Sequence, residues 1–423
     1  MHKAKPANHV IFIGAGASKS SGYPLASELR LRLSGEEQMG KALSLLEVHN
    51  QGIFNEATRC LNDSKASLEL FRHGGFGTVD EFSKLASEKY PDHVQVMKRL
   101  TQLALSLHNP EEKFHESDYY PFIQRLFDEQ NLYRLKPNIT VISYNYDCYL
   151  EYLLIKAQGI RNKLGEQPDA SIIHRNRLSS GFFKPDDEHS LAKLAQADGQ
   201  FKHLKLHGSI TGADVLSHKQ MFEVSGVELF KLFASQNYKT LTPPIVFPWE
   251  LFDSDQKFIQ PEQFIFYKQA RVPGVKDPGA NIKERQANIL YNLYKAIWEG
   301  ARDAIQNAHK ISFVGLSMHD YLQAGLKYLF HNKSGEVEVV VANKGNEEYI
   351  RLDSPMHPAS PTGRVGTLLR RICPNFVCVR SSSDFDGIFR AGETFDSGGL
   401  VKKPDYGITS RCLFSEFIEK EMD

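Results

Sequence analysis

Continuous apolar runs punctuate this chain, and each ends in small or polar residues. His9-Val10-Ile11-Phe12-Ile13 leads into Gly14-Ala15-Gly16-Ala17-Ser18, and Ile139–Ser143 into Tyr144-Asn145-Tyr146-Asp147. Leu204–Leu206 leads into His207-Gly208-Ser209, Ile311–Val314 into Gly315-Leu316-Ser317, and Val337–Ala342 into Asn343. Two further runs are Ile245-Val246-Phe247, set between Pro243-Pro244 and Pro248, and Val377–Val379. Short runs without polar alternation predict strands buried on both faces, as in a parallel sheet. Elsewhere the apolar spacing changes to three and four residues, which predicts helices over Leu25–Leu33, Ala42–Val48, Val79–Leu85, Val94–Leu107, Tyr149–Ile155 and Ala287–Ala308.

Strands alternating with helices predict an α/β fold, Rossmann-like, with a mainly parallel sheet. The stretch from about 34 to 130 holds helical spacing and no strand, interrupted by Gly74-Gly75-Phe76-Gly77, and reads as a helical module inserted after the first strand–helix unit. The main domain is expected over 1–345. The remainder, 346–423, either completes that domain or mediates assembly. The stretches 159–199 and 344–366 are polar and rich in Pro, Gly, Asp and Asn, the composition of surface loops.

Composition narrows the function classes. Lys+Arg and Asp+Glu balance at 51 each, so no global field favours nucleic acid or a membrane surface. The cluster Lys202-His203-Lys205 is too small to imply nucleic-acid binding and is expected at a solvated strand edge. No apolar run reaches the length of a membrane span, and the first residues, MHKAKPANH, lack the apolar stretch of a signal peptide; the cytoplasm is the expected location. Five cysteines (Cys60, Cys148, Cys373, Cys378, Cys412) form no Cys-x-x-Cys pair, so no metal is expected.

The chemistry-bearing residues gather at the carboxyl ends of the predicted strands, where open α/β sheets bind ligands. Gly14-Ala15-Gly16 after a strand suits a backbone that approaches a pyrophosphate. Lys19 stands where a dehydrogenase fingerprint has its third glycine, which argues against hydride transfer. Gly315-x-Ser317 lacks the second glycine of a nucleophile elbow, His115-Glu116 lacks the second His of a metalloprotease helix, and no phosphate loop of the Walker type occurs.

Six of these segments resemble, in order, the motifs of the sirtuin family. Gly14-Ala15-Gly16-Ala17-Ser18 with Ser21-Gly22-Tyr23-Pro24 is similar to the family's opening motif, and Ser143-Tyr144-Asn145-Tyr146-Asp147 to its Thr-Gln-Asn-x-Asp strand end. Leu206-His207-Gly208 resembles the catalytic His-Gly, and Pro244-Ile245-Val246-Phe247 through Glu250 the apolar strand before the substrate loop. Gly315-Leu316-Ser317 is similar to the Gly-Thr-Ser element, and Val341-Ala342-Asn343 to the Ile-Asn that holds adenosine. The resemblance implies a sirtuin fold, NAD as substrate, and contacts to it from Gly14, Ala15, Gly16, Ser18, Ser21, Tyr144, Gly315, Ser317, Asp320 and Asn343. Asn145, His207 and Asp147 are the implied catalytic residues.

The chain departs from the deacylases of that family. Leu25-Ala26-Ser27 replaces Asp-Phe-Arg, Tyr144 replaces the usual Gln, and the zinc ribbon is missing. Gly315-Leu316-Ser317-Met318-His319-Asp320 resembles the Gly-x-Ser-x-x-Asp of prokaryotic sirtuin-like effectors that cleave NAD in anti-phage defence. The resemblance therefore implies an NAD⁺ hydrolase that releases nicotinamide and ADP-ribose, regulated by its own oligomerisation or by a partner such as a HerA-type ATPase. A protein deacylase or ADP-ribosyltransferase, and a module that senses NAD or ADP-ribose without turnover, are the alternatives.

The residue chemistry agrees. Nicotinamide departs as a neutral base, so the paired carboxylates of ordinary glycosidases are not needed. The Asn145 amide suits the holding of a ribose hydroxyl and a water. His207 suits a base role through an ordinary pKa near ~6.5. Asp147 suits either an offset to developing positive charge or a cap on the helix that begins near Tyr149, and Asp320 a cap on Leu322–Leu329.

Overall fold

The computed structural model describes residues 8–26, 28–29, 65–74, 78–89, 91–106, 117–128, 135–147, 149–150, 153–154, 201–208, 245–253, 257–264, 280–316 and 322–342, together with four short strands beyond them and isolated positions between. The predicted helix at Ala42–Val48, apart from Ser44, and the loops at 159–199 and 344–366 lie outside the described residues, as do Cys60, Cys148, Cys373 and Cys412.

A seven-stranded sheet organises the chain. Its strands are β1 (His9–Ile13), β2 (Ile139–Ser143), β3 (Lys202–Lys205), β4 (Lys310–Val314), β5 (Gly335–Ala342), β6 (Phe376–Val379) and a late strand, β9 (Ile408–Arg411). The order is β3-β2-β1-β4-β5-β6, every pair is parallel, and β9 pairs with the end of β5 beyond the β6 pairing. β7 (Glu393–Asp396) and β8 (Gly399–Lys402) form a separate antiparallel ribbon. The 346–423 stretch thus contributes two strands to the main sheet. Direction reverses at β1: the chain first adds β2 and β3 on one side, then crosses to place β4 on the other. In open α/β sheets such a reversal opens a crevice at the carboxyl ends of the two strands.

Both faces of the sheet are covered, and this is why the runs are apolar without alternation. Ile11, Ile13, Val141 and Val314 face one cluster, into which pack α1 (Lys65–His73), α2 (Val79–Lys89), α3 (Pro91–Ser106) and α4 (Tyr119–Leu126) through Phe71, Phe82, Met97 and Phe122. Val10, Phe12, Ile142, Leu204 and Phe313 face the other, covered by α5 (Ala280–Gln306) and α6 (Gln323–Phe330) through Tyr294, Trp298, Leu326 and Phe330. Phe12 stacks on Phe313 at 4.8 Å between ring centroids. Burial of each such ring stabilises the fold by about 1.5–3 kcal/mol. The helical module predicted between the first two strands is therefore one wall of the sheet's own core.

Two expectations need correction. Ile245–Phe247 is not a strand: Ile245 makes a single antiparallel bridge to Gly208, and the chain then turns through a short 3-10 segment, Pro248–Glu250. Pro244 and Pro248 carry no N–H, so the segment cannot supply a ladder. Lys202-His203-Lys205 is not a solvated edge either. His203 and Lys205 are fully buried, and Lys205 donates its ammonium to the backbone carbonyl of Asp147. Their strand lies at the end of the sheet order, yet packing covers its faces.

Candidate functional site

Pairing register brings five strand ends into one row. Ile13 is level with Ser143 and with Val314; Ser143 is level with Lys205, and Val314 with Ala342. The residues that follow each strand therefore emerge side by side along one edge. Gly14, Tyr144, Leu206 and Gly315 continue the backbone bonding there: Tyr144 N–H donates to Ile13 at 2.9 Å, Leu206 N–H to Ser143 at 3.0 Å, Gly14 N–H to Val314 at 2.9 Å and Gly315 N–H to Ala342 at 2.8 Å. Asn145 and His207 are each the second residue past this row.

At the reversal between β1 and β4 the two turns touch. Gly16 N–H donates to Gly315 O at 2.8 Å, and Gly315 adopts φ +60°. A Cβ on Gly315 would lie 2.1 Å from Ala17 N, and one on Gly14 would lie 2.5 Å from Gly315 O. Only hydrogen at these positions lets the two loops close on each other, and Gly315 also takes the left-handed conformation that glycine alone adopts without cost.

Ser18, at the end of the short 3-10 turn Ala15–Ser18, is a buried hub. It accepts from Asn145 Nδ2 at 3.0 Å, donates to Asp147 Oδ2 at 3.0 Å, and lies 3.3 Å from the Tyr119 hydroxyl of α4. Asn145 Nδ2 also donates to Gly14 O at 3.1 Å, and Asn145 N–H donates to Ser143 Oγ at 3.1 Å. Both amide hydrogens are thus committed within the protein, and Oδ1 is the atom left to accept from a hydroxyl or water. Asp147 accepts from Ser18 through one oxygen and from Tyr149 N–H, at 3.1 Å, through the other. Its carboxylate thereby caps the helical turn that follows and holds Ser18 in place. Ser21 Oγ pairs with Ser117 Oγ at 2.5 Å, tying the opening loop to the entry of α4.

His207 sits in an aromatic enclosure. Its ring centroid lies 5.1 Å from Tyr144, 5.7 Å from Trp298 and 6.4 Å from Tyr146. Neither ring nitrogen has a hydrogen-bond partner among the described residues, and the same holds for the buried Tyr144 hydroxyl. Burial lowers the His207 pKa to about 3, opposed only in part by the backbone of Val246, and pushes the Tyr144 phenol up. The ordinary His value assumed from the sequence does not apply. The imidazole is neutral at physiological pH, with two unsatisfied nitrogens (one donor, one acceptor).

Beyond this lie residues that sequence reading missed. Tyr146 donates its hydroxyl to Asp80 Oδ1 of α2 at 2.6 Å. Lys98 of α3 forms a fully buried ion pair with Glu250 at 2.8 Å, and Glu250 also accepts from Phe247 N–H at 2.6 Å. Trp298 of α5 donates Nε1–H to Leu206 O at 3.0 Å, immediately before His207. Asp80 and Tyr146 are 66 residues apart and Lys98 and Glu250 are 152 apart, so no local pattern signals either pair. Asp80 and Lys98 on otherwise apolar helix faces are the one hint available. The predicted contacts from Ser317, Asp320 and Asn343 lie outside the described residues, although Asn343 directly follows the end of β5.

No protein-family model matches the chain, and no curated protein matches it significantly. Among the described residues no helix is long and apolar enough to cross a membrane.

Proposed function

We propose that the chain is a sirtuin-like NAD⁺ hydrolase that releases nicotinamide and ADP-ribose, and that it acts as an NAD-depleting effector in anti-phage defence. The observation that carries this reading is the buried His207 at the aligned strand ends, whose two ring nitrogens meet no hydrogen-bond partner among the described residues, beside Asn145, whose amide hydrogens are committed within the protein. Buried polar atoms are ordinarily paired, and an orphaned set at a sheet edge fits a polar ligand. The ordered resemblance to sirtuin motifs supplies the identity of that ligand, and Gly315-Leu316-Ser317-Met318-His319-Asp320 supports an effector that cleaves NAD outright.

NAD⁺ as substrate requires no general acid, because nicotinamide leaves the N-glycosidic bond as a neutral base. The chain's residues then have three tasks. Asn145 Oδ1 accepts from a ribose hydroxyl or from the attacking water and so fixes its direction. Neutral His207 accepts a hydrogen bond from the same set and so orients the water as it bonds to the ribosyl carbon, and the proton that water releases passes on to solvent. Tyr144, Tyr146 and Trp298 exclude bulk water around it. Asp147 and Ser18 hold Asn145 in register. Ser21 and Tyr144 serve through packing and the loop anchor, whereas Gly14, Ala15, Gly16 and Gly315 form the floor on which the dinucleotide lies.

The test is nicotinamide release from NAD⁺ by the purified protein, with and without an acetyl-lysine peptide. Release without peptide, abolished in both Asn145→Ala and His207→Ala, is the expected result, measured with the protein assembled alone and with a HerA-type ATPase. Release that depends on the peptide would instead make the chain a deacylase. Binding of NAD without release in either assembly would make it a sensing module.

A further inference from the structure

His207 is enclosed by rings. Neither ring nitrogen meets a side-chain hydrogen-bond partner among the described residues, only the backbone of Val246 lies close enough to oppose the effect of burial, and three rings therefore shape the space in which the imidazole turns. Tyr144 is anchored in the core beside Phe12, at 6.2 Å between centroids, and Trp298 is anchored by its bond to Leu206 O. Tyr146 is different. It is partly buried and packs against the rim of the core, its ring meeting Phe247 edge-on at 6.1 Å. The contact that fixes its far end is the 2.6 Å bond from its hydroxyl to Asp80.

Asp80 comes from outside the sheet, at the second position of α2 in the helical module. It is itself buried, at 5% exposure. A buried carboxylate is costly unless it is compensated, and the partner here is the partly buried ring of the His207 enclosure. A second polar link from the same module reaches the same wall. Lys98 of α3 lies 5.5 Å over the Phe247 ring against which Tyr146 rests, and it pairs with Glu250, which in turn holds Phe247 N–H. Asp80 is desolvated enough for its pKa to rise to about 6, with Glu250 adding to the rise and the Tyr146 bond opposing it. The Tyr146 hydroxyl is thus the main group keeping that carboxyl compensated.

We infer that Asp80 is a positioning residue for His207: it acts through the Tyr146 hydroxyl, so that the helical module sets the geometry of the strand-end site. The inference rests on the hydrolase reading for its catalytic consequence, but the coupling of Asp80 to His207 can be read without turnover.

Two measurements on the full-length protein test it. The first follows the His207 ring resonance in protein labelled with ¹³C-histidine, identified as the signal missing from His207→Gln. Asp80→Ala and Tyr146→Phe are each expected to shift that resonance. Asp80→Asn, which keeps an oxygen acceptor, is expected to restore its position, and the double variant Asp80→Ala/Tyr146→Phe to shift it no further than either single change. The second measurement is nicotinamide release: kcat should fall roughly 10- to 100-fold in Asp80→Ala and Tyr146→Phe with KM nearly unchanged, as expected when a reacting group is misplaced and binding is not, and Asp80→Asn should recover most of the loss. A His207 resonance unmoved in both variants, or an additive double variant, would overturn the inference. If the wild-type protein releases no nicotinamide, the hydrolase reading fails, and the resonance arm alone decides whether Asp80 positions His207. If Asp80→Ala does not fold, Tyr146→Phe removes one hydroxyl and carries the same comparison.

Discussion

Three buried histidines make the fold sensitive to mild acid. His9, His203 and His207 are each fully buried, and burial lowers each pKa from 6.5 to about 3, with nearby lysines adding to the effect at His9 and His203. Between those two values the unfolded chain binds protons that the folded chain refuses. The stability these groups allow is therefore complete above the unfolded value and is lost as pH falls below it. For one such histidine the loss on going from about pH 7 to about pH 5.5 is roughly 1.2 kcal/mol, and for three about 4 kcal/mol. Asp80 opposes this. Its pKa is raised from 3.8 to about 6, so in that window the folded chain holds a proton that the unfolded chain has released. Protonation of Asp80 over the same pH interval stabilises the fold by about 0.8 kcal/mol. Together these four groups give an expected loss of about 3 kcal/mol, a sizeable fraction of the 5–15 kcal/mol typical of a domain. Urea unfolding at the two pH values, at fixed ionic strength, measures it directly. The sharper assay uses His203→Leu. Neither nitrogen of His203 has a hydrogen-bond partner among the described residues, so the substitution removes a titrating group without breaking a bond. The variant should lose about 1.2 kcal/mol less than the wild-type protein over the same interval. An equal loss in both proteins, or a wild-type midpoint that does not move, would refute the reasoning.

Other outcomes follow from the buried pair and the loop contact. Lys98→Met strands Glu250 without its cation and should cost about 3–5 kcal/mol in chemical denaturation, whereas Lys98→Met/Glu250→Leu should recover much of that; a silent Lys98→Met would mean that the pair is not compensating buried charge. Gly315→Ala forces a side chain into a left-handed turn 2.1 Å from Ala17 N. It should lower stability by about 2–5 kcal/mol and abolish NAD binding measured by calorimetry, and unchanged binding would show that the two glycine turns need not touch.

The sequence by itself determined the parallel sheet from β1 to β6, but not β9. Runs such as Val10–Ile13 and Ile311–Val314 contain no polar alternation, and that is a property of strands covered on both faces, which follows from residue hydrophobicity and the twofold strand period alone. It also determined where the candidate chemistry lies, because a polar residue directly after a buried run must emerge at a strand end. Asn145 and His207 were legible for that reason, and so was the Asp147 cap, which is a contact between residues two positions apart. The segment Ile245–Phe247 has the apolarity of a strand without its ladder, because the prolines that flank it lack donors.

Only the tertiary structure decided what surrounds those groups. Lys205 and His203 carry the composition of a solvated edge, and their burial depends on elements packed over β3 from elsewhere in the chain. The His207 pKa depends on the same kind of fact: an imidazole becomes a weak base when rings replace water around it, and the rings come from positions 144, 146 and 298. The Asp80–Tyr146 and Lys98–Glu250 contacts close across long stretches of chain, where spacing in sequence carries no information about distance. Periodicity reports the local question of which side of an element faces the core. Which charges meet inside that core is settled by how whole layers pack, and in this protein the layer that brings Asp80 and Lys98 is the helical module.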